Sequence, residues 1–148
     1  MINFRSVLSR LGLRARSGEP AAPDWDDSDL IVVVSAFDDA EAASAVLARS
    51  PEWVETGAAV LRHHLLLPPG AVAQAAELLE PDGWRLRPAP EAEQAAFGTA
   101  PAPGEEPLFA ERVQKLDALH CSQENARMAG LAQRLGGRAV GWVALQSG

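Results

Sequence analysis

Tyrosine is absent from this chain, and cysteine and lysine occur once each, as Cys121 and Lys115. A lone cysteine cannot close an internal disulfide, which points to a reducing setting, the cytoplasm. No stretch approaches the roughly 18 apolar residues that a membrane-spanning helix needs. Nor does the N-terminus have a secretory leader's unbroken apolar core, because Arg5, Ser6, Ser9 and Arg10 interrupt it. The phosphate-binding G-x-x-x-x-G-K pattern, G-x-G-x-x-G, C-x-x-C and G-x-S-x-G are all missing. Gly136-Gly137 and Gly141 follow a helix rather than precede one, so they do not form a phosphate cradle. With no tyrosine and four phenylalanines, a sheet that reads RNA through aromatic rings is not expected.

The 148 residues are 47% hydrophobic, enough for one domain with a real core. Twelve arginines against one lysine, amid abundant Ala and Pro, fit a GC-rich bacterial coding sequence rather than a selected chemistry. The formal charge is −7, of which residues 1–18 contribute +4 through Arg5, Arg10, Arg14 and Arg16, so the remainder carries −11. An acidic body disfavours direct nucleic-acid binding and suits a basic protein partner. Residues 1–16 space Met1, Phe4, Leu8 and Leu11 as a basic amphipathic helix, or form a weakly ordered tail. As a helix they would make a weak membrane-surface contact. Residues 17–29 follow as an acidic linker without the D-x-D-x-D-G spacing of a calcium loop. The chain thus divides into an arm and linker, 1–29, and a single domain, 30–148.

Within the domain, Leu30-Ile31-Val32-Val33-Val34 reads as a short buried strand. Asp38 or Asp39 is expected to cap a helix bearing Ala43, Val46 and Leu47, with Trp53 closing over the core edge. A second strand covers 58–67. Its alternation sets Leu61, His63, Leu65 and Leu67 on one face and Val60, Arg62, His64 and Leu66 on the other. Pro68-Pro69-Gly70 opens a helix with Val72, Ala75, Ala76 and Leu79 on one stripe. Pro81-Asp82-Gly83 stops it, and a strand from Trp84 ends at Pro88. Residues 88–107 hold five prolines, four glutamates and no basic residue, the composition of a flexible acidic loop. Residues 108–119 fit a helix or a strand. Ser122 is expected to cap the next helix, which carries Met128, Leu131, Ala132 and Leu135. Gly136-Gly137 ends it before a last strand with Trp142. Apart from the first strand and helix, the order is βαβ twice. That predicts an α+β, ferredoxin-like two-layer sandwich with an extra N-terminal strand-helix unit.

Chemistry-bearing residues are few. His63 and His64 are neighbours on a strand and point to opposite faces, so they cannot share a metal. His63 reads as a packed, hydrogen-bonded core residue and His64 as solvent-facing or interfacial. Cys121, before a helix start and beside His120, is a candidate thiolate or a small buried residue. No catalytic set, cofactor site or metal site is assigned, and the chain is expected not to be an enzyme.

Leu61-Arg62-His63-His64-Leu65, a helix and Asp82-Gly83-Trp84-Arg85-Leu86 form one motif. Leu131 to Trp142, with its Gly136-Gly137 turn, forms another. On these two, residues 58–146 resemble the regulator of ribonuclease activity B family, whose members inhibit ribonuclease E. The family's Tyr-Asp is Ala139-Val140 here, and the strand and helix at 30–50 lie outside the likeness. The resemblance implies the sandwich fold, favours a strand at 108–119, and implies binding rather than turnover. The expected function is therefore non-enzymatic regulation through a protein partner, such as a basic segment of a nuclease. Glu91, Glu93, Glu105 and Glu106 are expected to supply steering charge at the contact. The alternative is a small-molecule-sensing or thiol-dependent domain of the same fold, using the surroundings of His120 and Cys121.

Overall fold

A computed structural model describes residues 22–148. The arm at 1–16, with its expected helix and membrane contact, lies outside the described residues, as does the linker up to residue 21. Five strands and three helices follow in the order β1 (Leu30–Ala36), α1 (Ala43–Ala48), β2 (Ala58–Leu67), α2 (Val72–Leu79), β3 (Arg85–Pro88), β4 (Glu106–Lys115), α3 (Ala118–Arg134) and β5 (Arg138–Ser147). The strands make one antiparallel sheet ordered β1-β5-β2-β4-β3. The class is α+β, with helices packed on the sheet in two layers.

β2 runs through the middle of the sheet, and every residue from Ala59 to Leu67 is buried. Its alternation sorts the molecule as expected. Leu61, Leu65 and Leu67 pack with Val46, Leu47, Leu79, Met128, Leu131 and the two tryptophans Trp84 and Trp142 under the helices. Val60 and Leu66 lie on the opposite face, in two smaller clusters with Val143 and Leu145 and with Phe97 and Phe109. Trp53 packs against the main core, as expected.

The sheet ends in two guarded strands. β1 carries an irregularity between Val32 and Val34. Arg49, gripped by both oxygens of Glu41 at 2.7 Å, donates to the Ser35 carbonyl of β1 at 2.7 Å. β3 is four residues long and closes on Pro88, which has no N–H to offer.

Glycine is required at one corner. Gly136 takes φ +81° at the end of α3, and a Cβ on Gly137 would collide with the Leu66 carbonyl and Leu67. The αL stop therefore lets the chain turn onto β2 at close range.

Five expectations need correction. β1 is an edge strand rather than a buried one, and its Ile31 and Val32 are exposed. α1 is preceded by Ala42, with no side-chain cap; Asp38 instead closes a local turn onto the Ala40 N–H at 2.9 Å. α3 starts ahead of Ser122 because Asp117, in extended conformation, accepts the His120 N–H at 2.7 Å. The extended reading of 108–119 holds to Lys115, and Ala118 and Leu119 are already helical. Finally, 88–107 is not a free loop. The Ala89 N–H donates to the Pro107 carbonyl at 3.0 Å, Glu91–Phe97 forms a short 3-10 helix, or 3-10 turn, and Ala89 and Phe97 are buried. Two apolar anchors in a Pro- and Glu-rich stretch are enough to lay it across the sheet.

Candidate functional site

The helix-free face of the sheet holds the densest chemistry. Register brings Arg62, Glu111 and Arg85 into one row across β2, β4 and β3, and His64, Phe109 and Arg87 into the next. Glu111 has no exposed surface. It accepts from Arg62 Nε at 2.7 Å, Arg85 at 2.9 Å, and Arg87 at 2.7 and 3.3 Å. Burial alone would raise its pKa. The hydrogen bond from Arg87, the charge and hydrogen bond of Arg62 and the bond from Arg85 reverse that and hold the carboxyl below its usual range. The guanidinium groups of Arg62 and Arg87 lie over the Phe109 ring, 4.6 and 5.0 Å from its centre, and Arg85 lies 4.4 Å over Trp25.

His64 is buried here, not solvent-facing. Phe37, Phe97 and Phe109 meet its ring edge-on at 5.1, 4.8 and 4.9 Å. Burial, then the charge of Arg62, pushes its pKa down to about 4. The cover comes from the 3-10 turn: Phe97 stacks on Phe109 at 5.6 Å with 13° between the ring planes, and Glu93 stands 3.6 Å from Arg62. A cavity of about 340 Å³ remains between this turn and the N-terminal stretch, lined by Trp25, Asp26, Arg62, Arg87, Glu93 and Leu145 among others.

On the helical face His63 is a core residue, as expected, between Trp84 at 5.6 Å and Trp142 at 6.3 Å. It is not hydrogen-bonded: neither ring nitrogen has a partner among the described residues. Burial, then the charges of His64 and Arg112, pushes its pKa down to about 3. The imidazole is held neutral by an apolar site, and among the described residues no acid or nucleophile pairs with it.

Cys121 borders a cleft of about 230 Å³ with Asp38, Asp39, Ser122 and Asn125, yet it is only 1% exposed. Burial, then the charge of Asp117, pushes the thiol up to about 11, so it is protonated at neutral pH. His120 turns to Asp117, Nδ1 to Oδ2 at 2.6 Å. These placements weigh against the thiol-dependent reading. Among the described residues no three His, Cys, Asp or Glu side chains are grouped to hold a metal.

The four glutamates expected at a partner contact do not form one outward patch. Glu91 is exposed on the 3-10 turn and Glu106 begins β4, half-buried. Glu93 faces Arg62. Glu105 takes both Arg138 hydrogen bonds at 3.0 Å and one from the Ala102 N–H at 2.8 Å; the bond from Arg138 leads in pushing its pKa to about 2. The residues missed are Arg85, Arg87 and Glu111. A charged residue inside Phe109-Ala110-Glu111 was the available signal, since a mid-strand acid flanked by buried positions needs a partner. Comparison with protein-family models, curated proteins and solved structures finds no match for this chain.

Proposed function

We propose that the protein is a non-enzymatic regulatory module that binds a basic segment of another protein. One observation carries the reading. Residues 22–148 hold nineteen Asp and Glu against nine Lys and Arg, a formal −10, and the positive charge is spent internally. Seven of eight arginines in this region, all but Arg134, pair with a carboxylate of the same chain. Exposed Asp24, Asp29, Asp38, Asp39, Glu52, Glu55, Glu77, Glu80 and Glu91 face outward. Such a surface attracts a cationic segment and repels phosphate backbones.

The strand order β5-β2-β4-β3 with its two helices supports a ferredoxin-like sandwich, in which β1 and α1 are an added unit on the β5 side. Together with the likeness to the ribonuclease-regulator family, this makes a nuclease the first partner to test. Ribonuclease E cleavage of a defined RNA is measured with increasing amounts of this protein, at 50 mM and 500 mM salt. Inhibition or altered cleavage at low salt that fades at high salt is the expected result. A fourfold charge-neutralised chain (Asp38→Asn, Asp39→Asn, Glu52→Gln, Glu55→Gln) should weaken it. An unchanged cleavage rate at both salts would remove the nuclease. Failure to retain any Arg-rich peptide at low salt would remove the basic-partner reading itself.

A further inference from the structure

We propose that the helix-free sheet face is a docking groove for an acidic peptide bearing an aromatic side chain, occupied in this chain by its own residues 89–105 as a tethered competitor. The proposal is independent of the basic-partner reading, which concerns the outer acidic surface.

The charge count on this face comes first. Three guanidinium groups share the single Glu111 carboxylate, which leaves two positive charges to be met by groups outside the sheet. Glu93 meets one, at 3.6 Å from Arg62 with its side chain 43% exposed. Asp26 meets the other, at 3.0 Å from Arg85 with its side chain 70% exposed. Both are surface carboxylates on flanking segments, and ion pairs of that exposure hold weakly. A carboxylate brought by another chain can replace either.

The occupant shows what the groove selects. Glu93 and, four residues on, Phe97 place one carboxylate near Arg62 and one ring flat on Phe109 and edge-on to His64. The turn that carries them belongs to no strand of the sheet. Its hold consists of these two side chains, the buried Ala89 beside Leu66 and Phe109, the Ala89–Pro107 hydrogen bond and the Glu105–Arg138 pair. Its displacement breaks no strand pairing, since β3 and β4 already meet at Pro88 and Leu108. The cavity beside Glu93 gives an incoming side chain room against Arg87 and Trp25. A short acidic peptide brings a few charges to this site. A nucleic acid brings one per nucleotide against a −10 body with Asp26 and Asp27 at the rim, which favours the peptide.

The test replaces residues 90–104 with a short Gly-Ser turn between the adjacent strand ends. In parallel, Glu93→Gln with Phe97→Ala is made in the otherwise intact chain. The probe is a fluorescein-labelled peptide with the sequence of residues 88–107, read by anisotropy at low salt. A control peptide has Gln in place of Glu91 and Glu93 and Ala in place of Phe97, and a ten-nucleotide poly-U is the third probe. A tethered segment competes at an effective concentration on the order of millimolar. The turn-replaced chain is therefore expected to bind the peptide at least about tenfold more tightly than the intact chain, with the double variant between them. The control peptide should lose that gain. The proposal is overturned if the folded, turn-replaced chain does not bind the peptide, binds the control equally well, or prefers the oligonucleotide. It is equally overturned if both variants lose their far-UV circular dichroism and tryptophan emission, because the segment is then part of the core.

Discussion

Glu111 concentrates the unusual energetics of this protein in one side chain. An uncompensated buried charge is among the costliest defects a fold can hold, and removing one partner of a buried pair typically costs about 3–5 kcal/mol. Glu111→Ala would leave Arg62, Arg85 and Arg87 facing one another across β2, β3 and β4. Stability from urea unfolding, followed by tryptophan emission, should fall by about 3 kcal/mol or more. Arg85→Ala, with two guanidinium groups still on the carboxylate, should lose clearly less. Cys121 supplies a second residue-scale expectation. Because the thiol is buried and its pKa is about 11, iodoacetamide at pH 7 should modify it far more slowly than free cysteine, and denaturant should abolish the protection. Rapid alkylation of the folded chain would restore the thiol-dependent alternative.

At the scale of elements, the corner after α3 is the most exacting. Gly137→Ala would press a methyl group against the Leu66 carbonyl and Leu67, so β5 must shift or α3 must fray. A loss of about 2 kcal/mol, seen as a lower urea midpoint with an unchanged slope, is expected. Local patterns made most elements legible in the sequence. The β-branched run of β1, the alternation of β2, the Pro69 entry and Gly83 exit around α2, and the Gly136-Gly137 stop all act within a few residues. The errors have one cause. Asp117 outcompetes Ser122 as a cap because extended backbone at 117 lets its carboxylate reach the His120 N–H, a choice set by where β4 ends. The Arg62–Glu111–Arg85 row depends on register among strands up to 49 residues apart, which no local window contains. Residues 88–107 look like solvated chain because their two anchors, Ala89 and Phe97, bind a surface that exists only after β2 and β4 have paired.

For the whole molecule, acid should be the natural denaturant. His63 and His64 have folded pKa values of about 3 and about 4, below the ordinary value near 6.5. Below about pH 6.5 the unfolded chain binds protons that the folded chain refuses, so stability falls as pH falls. Each histidine contributes a slope of up to about 1.4 kcal/mol per pH unit, extending down to its folded pKa. Glu111 has the same sign in a lower window. Its contribution is complete above the unfolded carboxylate value near 4.3 and disappears as pH drops through its depressed folded value. Unfolding free energies at pH 7.5, 6.0 and 5.0 should show this decline, and His64→Phe should roughly halve its slope between 6.0 and 5.0. A flat profile would mean that both rings find hydrogen-bond acceptors that let them protonate inside the folded chain.

The stoppered margins of the sheet have a consequence for life in a crowded compartment. A β-sheet with open borders recruits copies of itself. Here one border is interrupted by the Val32–Val34 irregularity and by the guanidinium lodged on Ser35, and the other ends after four residues on an imino acid. Both borders are therefore poor templates for pairing with a strand of another copy.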